Sequence, residues 1–147
     1  MRSSEVRCPG PLELRPVSVR VLDPETPLPA VELDRLFGTR LPSDRRQPLV
    51  RCPRIVASCG DRIVGVAAYE NLAGETRVLE FGVDDQAPGG TLGVANAVLD
   101  ALELGCVARG AYRLVLSSRA SAVGPVLWQR GYSRVGGGAG GWLKTLL

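Results

Sequence analysis

The stretch from Val83 to Ser117, VDDQAPGGTLGVANAVLDALELGCVARGAYRLVLS, decides the fold class. Its first part is rich in glycine, and from residue 94 to 109 apolar side chains recur at the spacing of a helix that buries one face. The residues that share this face are Val94, Val98, Leu102 and Cys106, with Ala95 and Leu99 beside them. The glycine-rich turn is therefore predicted to open a long helix.

The end of the same stretch predicts a strand. Gly110 is a typical helix stop, and residues 112–117 are rich in the apolar and β-branched residues of a strand. Strand, loop, helix and strand within about 40 residues form a unit whose two strands run parallel. Val83 and Leu116 are therefore expected on neighbouring parallel strands.

Three antiparallel strands are predicted upstream of this unit. Two apolar, β-branched runs, residues 54–59 and 62–70, are joined by a tight turn at Gly60-Asp61. A second turn at residues 72–75 leads into a third run that ends at Val83. The three strands form a meander that passes directly into the parallel unit.

The N-terminal part adds one strand and one short helix. Alternation at the end of residues 12–22 predicts the strand, and residues 30–37 have the spacing of a helix that Gly38 stops. Residues 41–53, with three prolines and three arginines, are predicted to form a solvated loop. This loop could border a site, although a plain connector is the simpler interpretation.

The C-terminal part completes the sheet. We expect a short helix over residues 121–130, then two strands, 132–135 and 142–146, across a glycine-rich hairpin. The predicted fold class is a mixed α/β sheet, antiparallel in its N-terminal part, with a parallel pair and helices on both faces. Residues 12–147 are predicted to form one domain, preceded by a loose arm of residues 1–11.

Composition narrows the classes of function. The 147 residues are 45% hydrophobic, and the net charge of +3, from 18 basic and 15 acidic residues, is too small to indicate a nucleic-acid protein. No apolar run reaches the roughly 18 residues of a membrane span, and the first residues lack the apolar stretch of a secretory signal. The sequence therefore predicts a cytoplasmic protein with no membrane or nucleic-acid partner.

The absence of histidine limits the available chemistry. Ser-His and Cys-His nucleophile pairs are excluded, and the four cysteines show no CxxC pair, so no metal site is predicted. Cys59 and Cys106 lie in apolar segments and are expected to be structural. An acid or base must be a carboxylate, Lys144, a tyrosine, a thiol, a terminus or water.

The glycine-rich loop is a candidate anion site. A helix N-terminus offers backbone N–H groups and a favourable dipole to a phosphate, and glycine allows the anion to approach closely. Such a loop alone does not distinguish anion binding from a plain tight turn.

The segment Gly90-Thr-Leu-Gly93-Val-Ala95 resembles the acyl-CoA motif of the GNAT acetyltransferase superfamily, (Gln/Arg)-x-x-Gly-x-(Gly/Ala), followed at once by a helix. Gly93 and Ala95 match the last two positions, whereas Gly90 stands where Gln or Arg is usual. A register that starts at Gln86 would leave the helix too far from Gly110. The resemblance extends over most of the chain, from about Val17 to Leu147.

The resemblance implies where acetyl-CoA, or a related acyl-CoA, would bind. Strand residues would hydrogen-bond the pantetheine arm in a splayed gap between the parallel strands, and the amides of residues 92–96 would hold the pyrophosphate. The implied binding residues are Phe81, Gly82, Val83, Gly90, Thr91, Leu92, Gly93, Val94, Ala95, Asn96 and Ser121. The implied reaction is direct transfer of an acetyl group to an amine in a ternary complex.

The segment from Ser121 to Tyr132 resembles the family's later motif, Asn-x-x-Ala-x-x-Leu-Tyr before Gly-Phe, one residue short. Trp128 replaces the tyrosine that often protonates the leaving thiolate. An indole N–H donates a hydrogen bond but cannot supply a proton of useful pKa. A domain that binds acyl-CoA without turnover, as a sensor or interaction module, therefore stands as the alternative.

The base implied for the reaction is a carboxylate. Glu80 is the first candidate because burial within an apolar strand disfavours the charged form of a carboxyl and promotes proton transfer. Glu70, Asp84 and Asp85 compete, and an edge-facing, solvated Glu80 is the simpler interpretation. The amine acceptor could be a small molecule or a protein, and the sequence does not decide between them. A homodimer that pairs the strands after Tyr132 is also left open.

Overall fold

The structure of the protein is a computed structural model that describes residues 17–87, 90–136 and 140–146. The expected N-terminal arm of residues 1–11 and the first part of the strand predicted from residue 12 lie outside the described residues.

One mixed sheet of seven strands organises the described chain, which confirms the predicted fold class. The order across the sheet is β1-β2-β3-β4-β5-β7-β6, and all neighbours in it are antiparallel except the parallel pair β4 and β5. The strands are β1 (Ser18–Leu22), β2 (Arg54–Cys59), β3 (Arg62–Leu72), β4 (Glu75–Val83), β5 (Arg113–Leu116), β6 (Ser133–Arg134) and β7 (Trp142–Thr145).

Within the described residues, four α-helices and one 3-10 helix accompany the sheet. The 3-10 helix covers Ser118–Val123, and the α-helices are α1 (Ala30–Phe37), α2 (Ser43–Arg51), α3 (Gly90–Arg109) and α4 (Gly124–Gln129). Helix α1 has the predicted bounds, and Gly38 ends it in the left-handed conformation with φ 73°. The single helix predicted over residues 121–130 is replaced by the 3-10 helix and α4, because Pro125 at the start of α4 favours a new helix beginning there.

Helix α2 corrects the prediction of a loop over residues 41–53. Pro42 precedes the helix in extended conformation, and Pro53 follows it, so two of the three prolines mark its ends. Only Pro48 lies inside the helix. Leu41 and Leu49 are buried under the sheet, and this packing outweighs the weak helix propensity of the segment.

The two faces of the sheet carry different helices. Helix α3 packs on one face through its six buried side chains, the same six that the sequence pattern predicted. A Cβ atom on Gly65 of β3 would lie 2.6 Å from Cγ1 of Val94, so the glycine allows this close approach. By length and composition alone, helix α3 could span a membrane. The helices of protein cores also meet these two criteria. Helices α1 and α2 cover the opposite face.

The parallel strands separate after a short paired region. Glu75 to Val78 of β4 pair with Arg113 to Leu116 of β5, and the amide of Ser117 donates to the carbonyl of Val78 over 3.1 Å. Beyond this point β4 continues to Val83, whereas the chain after β5 turns into the 3-10 helix. The sheet therefore contains a gap beside the last residues of β4.

Candidate active site at the gap between the parallel strands

A cleft of about 580 Å³ lies at this gap. On the face covered by α1 and α2 it is lined by Arg35, Phe37 and Arg45, and toward the face covered by α3 it is lined by Thr91. The end of β4 and the 3-10 helix form its sides through Phe81, Gly82, Val83, Asp84, Ala120 and Val123. The cleft thus connects the start of α3 with the space beneath α1 and α2.

The edge of β4 presents backbone hydrogen-bonding groups to the cleft. The amide of Asp84 donates to the carbonyl of Val64 over 2.8 Å, and Gly82 is paired with Val66, so the backbone groups of these two β4 residues point toward β3. Because successive strand residues alternate, the N–H and C=O groups of Phe81 and Val83 point the other way, into the gap. Of the three predicted strand residues, Gly82 lines the cleft with its Cα rather than with its backbone polar groups.

The start of α3 borders the same cleft. The helix begins at Gly90, one turn before the predicted start at Val94, and the amide of Gly90 donates to the carbonyl of Ala87 over 2.8 Å. In a helix that begins there, the amides of Thr91, Leu92 and Gly93 have no carbonyl four residues earlier within the helix. The first turn contains no acidic residue.

This boundary bears on the predicted phosphate-binding residues, which stay a prediction. The amides of Val94, Ala95 and Asn96 face carbonyls of the first turn and belong to the helical ladder. The side chains of Val94 and Ala95 are buried against the sheet. The donors that remain for an anion are those of the first turn, residues 91–93.

Glu80 is fully buried and forms a bidentate ion pair with Arg45 of α2. Nη2 of Arg45 donates to Oε1 of Glu80 over 2.8 Å, and Nε donates to Oε2 over 3.1 Å. The Glu80 side chain has 0% exposure, so the alternative of a solvated, edge-facing glutamate is wrong. The hydrogen bond with Glu80 also raises the pKa of Arg45. Both carboxylate oxygens thus accept hydrogen bonds from a residue that itself lines the cleft.

Phe37 joins this ion pair to the strand edge. A Cβ atom on Gly82 would lie 2.5 Å from Cζ of Phe37, which means that the ring rests directly on the β4 backbone. The guanidinium carbon of Arg45 lies 5.5 Å from the centroid of the same ring, within the range of a cation–π contact. We call Gly82, Phe37, Arg45 and Glu80 the β4 bracket. The name reflects a series of contacts that starts at Gly82 of β4, runs through Phe37 and Arg45, and ends at Glu80 of the same strand.

The other candidate carboxylates occupy different positions. Asp84 lines the cleft on the α1 side, and its Oδ2 accepts from Nη1 of Arg35 at 3.0 Å. Asp85 also lines the cleft but is exposed to solvent. Glu70 pairs in register with Arg77 near the opposite end of β3 and is absent from the cleft lining.

Trp128 lies on the surface of α4. Its side chain is 66% exposed, and its ring meets Trp142 of β7 edge to face with centroids 6.4 Å apart. Trp128 is not among the residues that line the cleft. Ser121 lies in the 3-10 helix between two cleft residues, Ala120 and Ala122, but its side chain is outside the described part of the structure.

Asn96 belongs to a polar network that joins α3 to the C-terminal strands. Its side-chain amide donates to the carbonyl of Leu92 over 3.0 Å, and its Oδ1 accepts from Nη1 of Arg130 over 2.8 Å. Glu103 lies at the centre of the network, where it accepts from Arg130, from the hydroxyl of Tyr132 at 2.8 Å and from Lys144 at 3.2 Å. This network ties α3 to Arg130 and to the C-terminal strands.

The network predicts a pH-dependent contribution to stability. Burial raises the pKa of Glu103, but the hydrogen bonds from Arg130, Tyr132 and Lys144 outweigh it, so the pKa is lowered from its ordinary value of 4.5. A lowered folded-state pKa gives stability that is present above pH 4.5 and is lost as the pH falls through the folded-state value.

We therefore expect Glu103→Gln to lower the free energy of unfolding by roughly 1 kcal/mol at pH 7, a small value because the network is partly solvated. Urea unfolding of both proteins from pH 7 to pH 3 checks this. The gap between the two curves should close as the pH falls, and a gap that stays constant would contradict the assignment.

Arg35, Phe37 and Arg45 line the cleft, but no sequence pattern marks them as site residues. Phe37 was predicted only as an apolar residue of a short helix, and Arg45 as part of a solvated loop. The one available signal was the suggestion that residues 41–53 could border a site. Arg45 of that segment lines the cleft.

Solved structures of acetyltransferases share this architecture. A GNAT-family acetyltransferase from Staphylococcus aureus Mu50 has a TM-score of 0.67 and 12% sequence identity to this chain. The aligned region covers 88% of this chain and 100% of the acetyltransferase. The PaiA N-acetyltransferase of Thermoplasma acidophilum, solved in complex with coenzyme A, has a TM-score of 0.61 and 12% sequence identity. The aligned region covers 88% of this chain and 99% of PaiA. Ard1 from Thermoplasma volcanium has a TM-score of 0.62 and 15% sequence identity, and the aligned region covers 89% of this chain and 98% of Ard1.

No protein-family model and no curated protein matches the sequence. The structural likenesses, at these identities, establish the fold. The chain has the GNAT acetyltransferase fold, which confirms the resemblance drawn from its glycine-rich segment and its predicted parallel unit.

Proposed function

We propose that the protein is an acyl-CoA-dependent N-acyltransferase that moves an acetyl group from acetyl-CoA to a primary amine in a ternary complex. The observation that carries the proposal is the cleft at the gap between the parallel strands, which joins the first turn of α3 to the backbone edge of β4. Structure neighbours with this fold have been solved with coenzyme A, which supports the same ligand here.

The residues of the cleft suit the parts of such a ligand. Amides of Thr91, Leu92 and Gly93 at the positive end of the α3 dipole would bind the pyrophosphate. The alternating N–H and C=O groups of Phe81 and Val83 would bind the extended pantetheine arm as an added strand would. The thioester supplies an activated acyl group, and an N–H group of this edge aimed at its carbonyl would stabilise the negative charge that develops there.

Asp84 is the carboxylate that we propose for accepting the proton of the amine. It lines the cleft on the α1 side, where an acceptor would enter. Its oxygens accept hydrogen bonds from Arg35 and from the amide of Gln86, whereas both oxygens of the fully buried Glu80 accept from Arg45. Glu80 then holds Arg45 in the cleft wall instead of acting on the amine. A general base of this kind contributes about 100-fold or more to the rate.

Binding without turnover is the second candidate, and Trp128 favours it. The residue at the position of the usual tyrosine acid cannot donate a proton, and its side chain is exposed outside the cleft lining. The thiolate of CoA is a tolerable leaving group near neutral pH, so a missing acid slows the transfer without forbidding it. The two candidates share the binding site and differ only in turnover.

Two measurements separate the candidates. Saturating acetyl-CoA should raise the thermal unfolding midpoint, because a ligand that binds only the folded state stabilises it. Release of the free CoA thiol with a panel of small amines, amino acids and peptides then reports turnover. A midpoint shift without thiol release would favour the second candidate, and no shift at millimolar acetyl-CoA would contradict both.

An active acceptor from the panel allows the two carboxylates to be compared. We expect Asp84→Asn to lower kcat by about 100-fold with little change in KM for acetyl-CoA, and Glu80→Gln to lower kcat by less than about tenfold. A larger decrease in kcat for Glu80→Gln than for Asp84→Asn would indicate that Glu80, not Asp84, is the base.

A further inference from the structure

The β4 bracket stands where the acyl end of the proposed ligand would emerge. Helix α3, whose first turn would hold the pyrophosphate, covers one face of the sheet, and Phe37 and Arg45 belong to helices on the other face. A ligand that enters at Thr91 and passes through the gap must therefore present its thioester beneath α1 and α2. Phe37 of the bracket lines this part of the cleft and is in contact with Gly82 of the strand edge.

The bracket is also a fixed wall. Phe37 rests on the backbone of β4 on one side and lies under the Arg45 guanidinium on the other. Arg45 is in turn held by two hydrogen bonds to Glu80, which is fully buried in β4. Rotation of the Phe37 ring out of the cleft wall would therefore break a stacked contact, and displacement of Arg45 would leave a buried carboxylate without this bidentate partner.

We infer that Phe37 limits the length of the acyl group, so that the protein accepts acetyl-CoA and rejects longer acyl-CoA thioesters. This inference rests on the proposed acyl-CoA site and specifies its substrate. A fixed aromatic wall discriminates against each added methylene, and differences of this kind amount to about tenfold or more. Removal of the ring should open space for a longer chain.

The experiment measures dissociation constants for CoA, acetyl-CoA and hexanoyl-CoA by calorimetry. For the wild-type protein we expect hexanoyl-CoA to bind about 100-fold more weakly than acetyl-CoA. Phe37→Ala should reduce this ratio to less than about tenfold while leaving the affinity for CoA itself within about threefold. Val31→Ala is the matched control, because Val31 lies on the same helix with 79% exposure and is absent from the cleft lining.

Two further variants keep the inference testable if Phe37→Ala folds poorly. Phe37→Leu should give an intermediate ratio. Gly82→Ala should also change the ratio, because its Cβ would lie 2.5 Å from the ring and force the ring away from the strand edge.

The outcomes separate a failure of the Phe37 inference from a failure of the proposed acyl-CoA site. Equal affinity of the wild-type protein for acetyl-CoA and hexanoyl-CoA, or an unchanged ratio in both Phe37 variants, would overturn the inference while the acyl-CoA site stands. Failure of CoA and acetyl-CoA alike to bind the wild-type protein would overturn the site and the inference together.

Discussion

Gly93→Glu is expected to weaken acetyl-CoA binding by about 100-fold or more while leaving the fold intact, because like charges about 4 Å apart near a protein surface repel by several kcal/mol. Gly93 lies in the first turn of α3, where the proposed pyrophosphate would bind. A Cβ atom there meets no other atom within 4 Å, so a side chain fits. A carboxylate in the first turn of a helix is neutral or slightly stabilising for the helix itself.

Gly105→Glu is the matched control for this prediction. Gly105 lies in the same helix three turns later, is exposed, and also has no atom within 4 Å of a built Cβ. We expect its thermal shift with acetyl-CoA to equal that of the wild-type protein. Equal binding by Gly93→Glu and Gly105→Glu would show that the first turn of α3 does not hold the anion.

Arg45→Met is expected to lower the free energy of unfolding by about 3 kcal/mol at pH 7, because loss of one partner of a buried ion pair leaves the other charge poorly compensated. The Glu80 side chain has 0% exposure, and its carboxylate accepts two hydrogen bonds from Arg45, of 2.8 and 3.1 Å. The methionine keeps most of the apolar volume over Phe37. Chemical denaturation measures the change.

The neighbouring residue supplies the control for Arg45→Met. Arg46 forms an ion pair with Asp34 at 2.8 Å, but both side chains are about 30% exposed, at 29% and 31%. Arg46→Met should therefore cost less than about 1 kcal/mol. Adding Glu80→Gln to Arg45→Met should recover part of the loss, since the buried charge is then removed. Equal losses from Arg45→Met and Arg46→Met would contradict the buried character of the Glu80 pair.

Local patterns in the sequence were sufficient to predict the framework of the fold. The meander was predicted because β-branched runs alternate with glycine turns, and the buried face of α3 because Val94, Val98, Leu102 and Cys106 follow helical spacing. The parallel pair follows from the loop and helix that join its strands. Each of these features depends on residues close together in the chain.

The features that shape the cleft depend on contacts between distant residues. Arg45 and Glu80 are 35 positions apart, and nothing in either segment indicates that they meet. The prolines at 42, 48 and 53 suggested a loop, whereas two of them flank α2 and burial of Leu49 holds the helix on the sheet. The contact of Phe37 with Gly82 likewise follows from how α1 packs on β4. Such packing cannot be deduced from spacing.

Backbone amide hydrogen exchange, measured residue by residue with and without saturating acetyl-CoA, tests the proposed site most directly. We expect slower exchange with the ligand at Phe81 and Val83, whose amides point into the gap, and at Thr91 and Leu92 in the first turn of α3. Gly82 lies between two of these residues and points toward β3, so its exchange should change least. Protection confined to other parts of the chain, or no protection at these four amides, would contradict the claim that acyl-CoA binds between the parallel strands.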